Sequence, residues 1–177
     1  MVAGLWFSGN VPGWEFPGLI DWPLGPPFSG ANLDSLKYTG TIVKTARVLP
    51  GADGKRTGLF GTSRGAMEAV LLASTGAGVQ AVVADSASYT PKSPVDTPAI
   101  GLVENLEAPL LILNGTADQT APVQQAQNYE AALQRLHKPY EVRYYEGETH
   151  VITRGDSLYR VDAWDRTIAF FKKYLAP

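Results

Sequence analysis

Leu59-Phe60-Gly61-Thr62-Ser63-Arg64-Gly65-Ala66-Met67-Glu68-Ala69-Val70-Leu71-Leu72-Ala73 joins a short apolar run to an amphipathic helix through Gly-x-Ser-x-Gly, with Ser63 at its centre. A serine at a tight strand-to-helix turn needs neighbours without bulk, and Gly61 and Gly65 flank it. The junction reads as a nucleophile elbow that pushes the Ser63 hydroxyl clear of the backbone. The same turn aims the amide of Arg64 at the reaction centre, where the positive end of the following helix supports it as an oxyanion donor. The pentapeptide alone also occurs in ordinary loops; the strand before it and the helix after it set this one apart.

Working outward toward the N-terminus, Thr57 to Phe60 reads as the strand that feeds the elbow, and Pro50-Gly51-Ala52-Asp53-Gly54 as a polar turn before it. Between Asn32 and Leu49 the residues Leu33, Leu36, Ile42, Val43, Ala46 and Val48 form a helical stripe that Gly40 weakens, with Asn32 or Asp34 near its cap. Gly18-Leu19-Ile20-Asp21-Trp22 is an apolar run closed by Pro23, Pro26 and Pro27, which suits a sheet edge. Val2 to Phe7 reads as a buried strand stopped by the turn residues Ser8 to Gly13.

Toward the C-terminus, Val79 to Ala84 is a short strand, Pro91 to Pro98 a loop, and Ala99 to Glu107 holds one short helix. Pro109-Leu110-Leu111-Ile112-Leu113 is the most apolar strand, as a central parallel strand covered on both faces should be. Val123 to His137 reads as a helix and Tyr140 to Tyr145 as a strand. Ser157 to Leu175 closes the chain as an amphipathic helix carrying Leu158, Val161, Trp164, Ile168, Phe171 and Leu175. Strand and helix alternate from Thr57 onward, which predicts a single α/β domain over residues 1–177. Its mostly parallel sheet of about six strands has helices on both faces, with ligands at the carboxyl ends of the strands.

Of 177 residues, 45% are hydrophobic and 18% charged, enough for one sizeable core. A formal net charge of -2 without any basic run gives no reason to expect nucleic acid or an anionic membrane as partner. The absence of cysteine removes disulfides, thiolate metal sites and a cysteine nucleophile together. No run is long enough to span a bilayer, and the N-terminus lacks the basic-then-apolar pattern of a signal peptide. A cytoplasmic chain is therefore expected, export of a longer precursor remaining open.

Ser63 needs a base, and the base needs a partner to fix its tautomer. The chain has two histidines. His137 precedes Lys138-Pro139 at a helix end, where a polar side chain suits the helix C-terminus. His150 follows the last strand through Glu146-Gly147-Glu148-Thr149, in a loop where a parallel sheet gathers its active groups. Asp118 follows the central strand in a similar loop and is the first candidate for the orienting acid; its bland reading is a turn former or helix cap. Asp85, ending the preceding strand, is the rival acid. The spacing of the two histidines and the carboxylates resembles no metal site, and no cofactor is expected.

Gly61-Thr62-Ser63-Arg64-Gly65, the block Ala108 to Asp118, and Tyr145-Glu146-Gly147-Glu148-Thr149-His150 resemble the α/β-hydrolase superfamily, in particular its prolyl-oligopeptidase-like and dienelactone-hydrolase-like serine hydrolases. The order Ser, Asp, His is that superfamily's order. The resemblance covers about Thr57 to Leu175. It implies ester, thioester or amide hydrolysis through an acyl-enzyme, with Ser63 as nucleophile, His150 as base and then acid, and Asp118 orienting His150. Two departures stand out. Thr149 replaces the usual glycine before the histidine, and Ser8-Gly9 replaces the usual His-Gly, so the second oxyanion donor is expected at the backbone of Gly9 or Asn10 beside Arg64. Superfamily members usually carry two further strands before Val2 to Phe7. The expectation is therefore a minimal fold or a fragment, whose apolar sheet edge a second copy could pair with.

Between Ala84 and Pro109 there is room for one short helix, so no lid or cap domain is expected. The resulting open cleft should be lined by Trp14, Phe16, Trp22 and Tyr89 and should admit a small ester. The expected function is a serine esterase, weighed against a peptidase of the same superfamily and a silent binding protein on the same scaffold.

Overall fold

A computed structural model describes residues 31–90 and 99–176. The expected strands at Val2 to Phe7 and Gly18 to Trp22, the residues Gly9, Asn10, Trp14, Phe16 and Trp22, and the loop Pro91 to Pro98 lie outside them. The described chain runs α1 (Ala31–Arg47), β1 (Gly58–Thr62), α2 (Arg64–Ala73), β2 (Ala81–Asp85), a 3-10 helix (Ala99–Asn105), β3 (Leu110–Gly115), α3 (Val123–Arg135), β4 (Tyr140–Tyr145) and α4 (Arg160–Leu175).

The four strands lie side by side in chain order, and every pairing is parallel. Parallel neighbours require a crossover, and the helices supply it. β2 and β3 are buried at every residue, as continuous apolar strands between two layers must be. Their side chains alternate between two cores. Val82, Ala84, Leu110 and Ile112 join Leu36 and Val43 of α1, the buried face of α2, and Ala126, Tyr129 and Leu133 of α3. Ala81, Val83, Leu111 and Leu113 face the other way, onto Ala163 and Phe170 of α4.

β1, β2 and β3 each run one or two residues closer to their functional loops than their apolar runs suggest, while β4 spans the expected Tyr140–Tyr145. β1 extends to Thr62, and the Ser63 amide still donates to the Asp85 carbonyl at 2.8 Å. The ladder therefore reaches the nucleophile itself. α1 continues through Gly40, which is buried, so packing outweighs the helix-weakening effect of glycine. At the end of α3, His137 takes φ 52° while its amide donates to the Gln134 carbonyl at 3.1 Å and that of Lys138 to the Leu133 carbonyl at 2.9 Å. This is a Schellman stop, with an exposed histidine in the left-handed position.

The expected apolar stripe of α4 needs correction. Phe171 and Leu175 pack partly buried against the core as expected, but Ala163, Thr167 and Phe170 are the buried residues, while Leu158, Val161 and Ile168 are exposed and Trp164 leans on Phe60 of β1 with ring centroids 4.9 Å apart. Close approach of a helix to the middle of a sheet favours small side chains at the contact. Periodicity ranks residues by hydrophobicity and so chooses the larger ones.

α4 is tied to the end of β4 by Asp162, whose Oδ2 accepts from the Tyr145 hydroxyl at 2.9 Å and from Arg166 Nε at 2.7 Å. The Arg166 hydrogen bond, assisted by Tyr145, holds the Asp162 carboxyl below its ordinary pKa. A carboxyl depressed by folding contributes stability that is present above its unfolded pKa and lost as pH falls through the folded one. Asp162→Asn should therefore cost under about 1 kcal/mol at pH 7, because the pair is largely solvated. Urea unfolding should show the gap to wild type closing as pH drops through the Asp162 titration; a gap that widens on acidification would contradict this assignment.

Candidate active site

Four loops meet at the carboxyl ends of the strands. The first carries Ser63, at φ 54° and ψ -121°, a backbone conformation that a non-glycine residue adopts only when the surrounding fold imposes it. The imposition is visible: a Cβ on Gly61 would run into the backbone of Gly65 and Ala66, so the turn closes only around glycine. At Gly65, by contrast, a Cβ meets no described atom. Among the described residues, bulk is therefore excluded at Gly61 and not at Gly65. Arg64 opens α2, which places its amide at the helix's positive end, and its guanidinium Nε donates to Glu68 Oε1 at 3.0 Å.

The third loop carries Asp118, whose side chain is fully buried. Its Oδ1 accepts from the amides of Thr120 and Ala121, both at 2.8 Å, which shapes the turn into α3. Its Oδ2 meets His150 Nδ1 at 2.8 Å. Turn former and acid partner were weighed as alternatives; one carboxyl group makes both sets of bonds, one oxygen for each.

The fourth loop carries His150, about a quarter exposed, with Nε2 2.8 Å from Ser63 Oγ. The structure thus brings Ser63, His150 and Asp118 into one hydrogen-bonded line. A proton on Nδ1 facing Asp118 leaves Nε2 with a lone pair toward the serine hydroxyl. His137 sits at the far end of α3 and takes no part. Beside His150 is a surface depression of about 320 Å³ lined by Glu148, Thr149, Val151, Arg154, Asp156 and Ser157.

One expectation is corrected, and the rival acid has another place. Tyr89 does not line a cleft: it is buried in the core and stacked on Tyr129 with centroids 4.3 Å apart, and burial, with Tyr129 adding to it, pushes its hydroxyl well above the usual tyrosine pKa. Asp85 does not reach the imidazole; its oxygens bond to the chain beyond it, at residues 152 and 153.

Sequence reading also missed the struts between loops. Asn114, fully buried, donates from Nδ2 to the carbonyls of Gly115 and Ala121 and so braces the Asp118 turn. Thr116 Oγ1 accepts from the Gly147 amide at 2.8 Å, and the Ala117 amide donates to the Glu148 carbonyl at 2.9 Å. These bonds clamp the acid's loop to the histidine's loop. Gly115 sits where a Cβ would strike the backbone of Glu148 and Thr149, so the clamp needs glycine there. A Gly in the apolar block Leu110–Gly115 was the available signal. Among the described residues no group of three His, Cys, Asp or Glu is placed to hold a metal ion, and no helix is long and apolar enough to cross a membrane.

Residues 31–175 match the dienelactone hydrolase family. Among solved structures, dipeptidyl peptidase 4 of Porphyromonas gingivalis superposes with a TM-score of 0.73 at 20% identity, over 84% of this chain and 24% of that one. A dienelactone hydrolase-like promiscuous phosphotriesterase, P91, from metagenomic libraries superposes with a TM-score of 0.71 at 16% identity, over 83% of this chain and 64% of that one. In sequence, an uncharacterized peptidase of Bacillus subtilis (strain 168) is 40% identical over 48 residues, 27% of this chain and 19% of that protein. The chain spans less than two thirds of the length of each of these relatives. At such identities the superpositions establish the fold, an α/β-hydrolase sheet with its helices.

The glycine contacts make a differential prediction. Gly61→Ala and Gly115→Ala should each slow labelling by a fluorophosphonate, which reacts only with an activated serine, by about 10²-fold, since displacements of an ångström at such a site cost that much. Gly65→Ala should stay within a few-fold of wild type. Equal loss in all three would show that the motif's glycines act through something other than the contacts described.

Proposed function

The chain belongs to the dienelactone hydrolase family, a family of hydrolases on the α/β-hydrolase fold, and from that premise we propose that it is a serine hydrolase cleaving small carboxylic esters through an acyl-enzyme. The observation that carries this reading is the continuous line from Ser63 Oγ through His150 to Asp118, with both contacts at 2.8 Å.

In the proposed reaction His150 Nε2 takes the hydroxyl proton as Ser63 Oγ bonds to the ester carbonyl carbon. The negative charge that develops on the carbonyl oxygen is met by the Arg64 amide and the positive end of α2. Collapse breaks the bond to the alcohol oxygen, which leaves with the proton that His150 returns to it. Water then repeats the cycle: it loses a proton to His150, attacks the acyl carbon, and releases the carboxylic acid and the Ser63 hydroxyl. Asp118 stays where its two backbone amides hold it and faces the imidazolium at the moment it forms.

A second reading, peptide-bond hydrolysis by the same residues, is favoured by the 48-residue match to a peptidase. One series separates the two. Hydrolysis of p-nitrophenyl esters should be fastest for acetate and fall toward laurate, and Ser63→Ala should lower turnover at least about 10⁴-fold, with His150→Ala comparable and His137→Ala near wild type, because triad members act as a unit. Folded protein that cleaves aminoacyl p-nitroanilides but no ester would replace the esterase reading with the peptidase one. A Ser63→Ala protein with wild-type turnover would end both.

A further inference from the structure

The proposed mechanism uses loops one, three and four; the second, after β2, holds a buried acid that it leaves without a task. Asp85 and Ser86 are both fully buried. Asp85 Oδ1 accepts from the Ile152 amide at 3.1 Å and from the Ser86 hydroxyl at 3.1 Å. Its Oδ2 accepts from the Thr153 amide at 2.9 Å and from the Thr153 hydroxyl at 2.6 Å. Ser86 Oγ in turn accepts from the Val151 amide at 2.9 Å. Three consecutive amides after His150 are thus captured by two adjacent side chains at the end of β2, two strands away from β4 in the sheet.

That capture coincides with backbone that resists its own conformation. Val151 has φ 68°, and a β-branched residue is among the least tolerant of the left-handed region. Ser86 has φ 55°. Left to itself, Val151 would relax to negative φ and swing the preceding imidazole away from Ser63 and Asp118. A buried acid with both oxygens occupied by donors, and no cationic side chain bonded to it among the described residues, is costly to install and is kept where its geometry is needed. We propose that Asp85, with Ser86, is a positioning residue for the reaction: it holds the Val151-to-Thr153 segment in its strained form and thereby sets the His150 imidazole between Ser63 and Asp118. The proposal rests on the triad reading above.

An asparagine at 85 keeps the shape but turns one acceptor into a donor facing the amides of Ile152 or Thr153. Asp85→Asn should therefore lower kcat on p-nitrophenyl acetate about 10²-fold while KM stays within a few-fold, and should slow fluorophosphonate labelling by the same factor. Adding Val151→Gly, which tolerates φ 68° without an anchor, should restore at least about tenfold of that loss. A purely structural role predicts otherwise, so Leu133→Ala, on the buried face of α3, serves as a destabilised control, with kcat expected at wild-type level well below its melting temperature. Should Asp85→Asn not fold, Ser86→Ala, which removes the Val151 acceptor and the hydroxyl donor to Asp85 Oδ1 but leaves the Ile152 and Thr153 bonds in place, carries the test with an expected tenfold loss of kcat, again set by imidazole misplacement.

Wild-type kcat in Asp85→Asn, or in Ser86→Ala when that variant stands in, would overturn the proposal, as would a loss in Leu133→Ala equal to that in Asp85→Asn, or no recovery on adding Val151→Gly. Ser63→Ala run in parallel tells the two failures apart. If it is inactive while Asp85→Asn is normal, only the anchor falls; if it is active, the triad reading falls and the anchor with it.

Discussion

His150 is held by two contacts of 2.8 Å, one to Ser63 and one to Asp118, and every described strand of the sheet helps to keep those lengths. In a parallel sheet all carboxyl ends point the same way, so four loops from four strands open onto one rim. The hydrogen-bond ladder does not stop at that rim. The Ser63 amide bonds to the Asp85 carbonyl at 2.8 Å, Ser86 to Leu113 at 2.8 Å, and Thr116 to Tyr145 at 2.9 Å, so the loops start in register with one another. Residues far apart in the chain acquire fixed separations because their strands cannot slide without breaking the whole ladder.

Around that rim the structure concentrates unfavourable backbone. Four described residues other than glycine have positive φ; His137 closes α3, and the other three, Ser63, Ser86 and Val151, surround the histidine. Gly61 and Gly115 stand where two backbones come closer than any Cβ permits. Strain of this kind persists only when the packing beneath over-determines it, and here two fully buried strands and a core on each face do so. Rigidity below and tension above together put a serine hydroxyl, an imidazole and a carboxyl in line without help from substrate.

The order of elements was legible in the residues because each rests on local patterns: period-two or continuous apolar runs for strands, a 3.6 period for helices, and glycine and proline between them. The Gly-x-Ser-x-Gly junction could be read for the same reason, since an elbow is a local turn. The chain's two histidines narrowed the base to a choice between a helix end and a strand-end loop. What could not be read was direction. Tyr89 is an aromatic in a loop after a strand, and nothing local says that it turns inward onto Tyr129. Trp164 and Ile168 look like the buried face of α4, yet Ala163 and Thr167 occupy it, because the sheet's nearness is a property of the packed layers.

From sequence alone, then, come the α/β alternation, the nucleophile's turn and the pairing of Ser63 with a histidine and an acid, all of which depend on residue type and short-range spacing. Only the tertiary structure decided which acid oxygen meets which donor, that Asp118 rather than Asp85 reaches the imidazole, and that Asp85 grips the chain beyond it. Those outcomes depend on parallel register between strands joined by long crossovers, where a shift of one residue turns every side chain of a strand to the other face. No local pattern in the chain encodes that shift, and the two packed cores settle it.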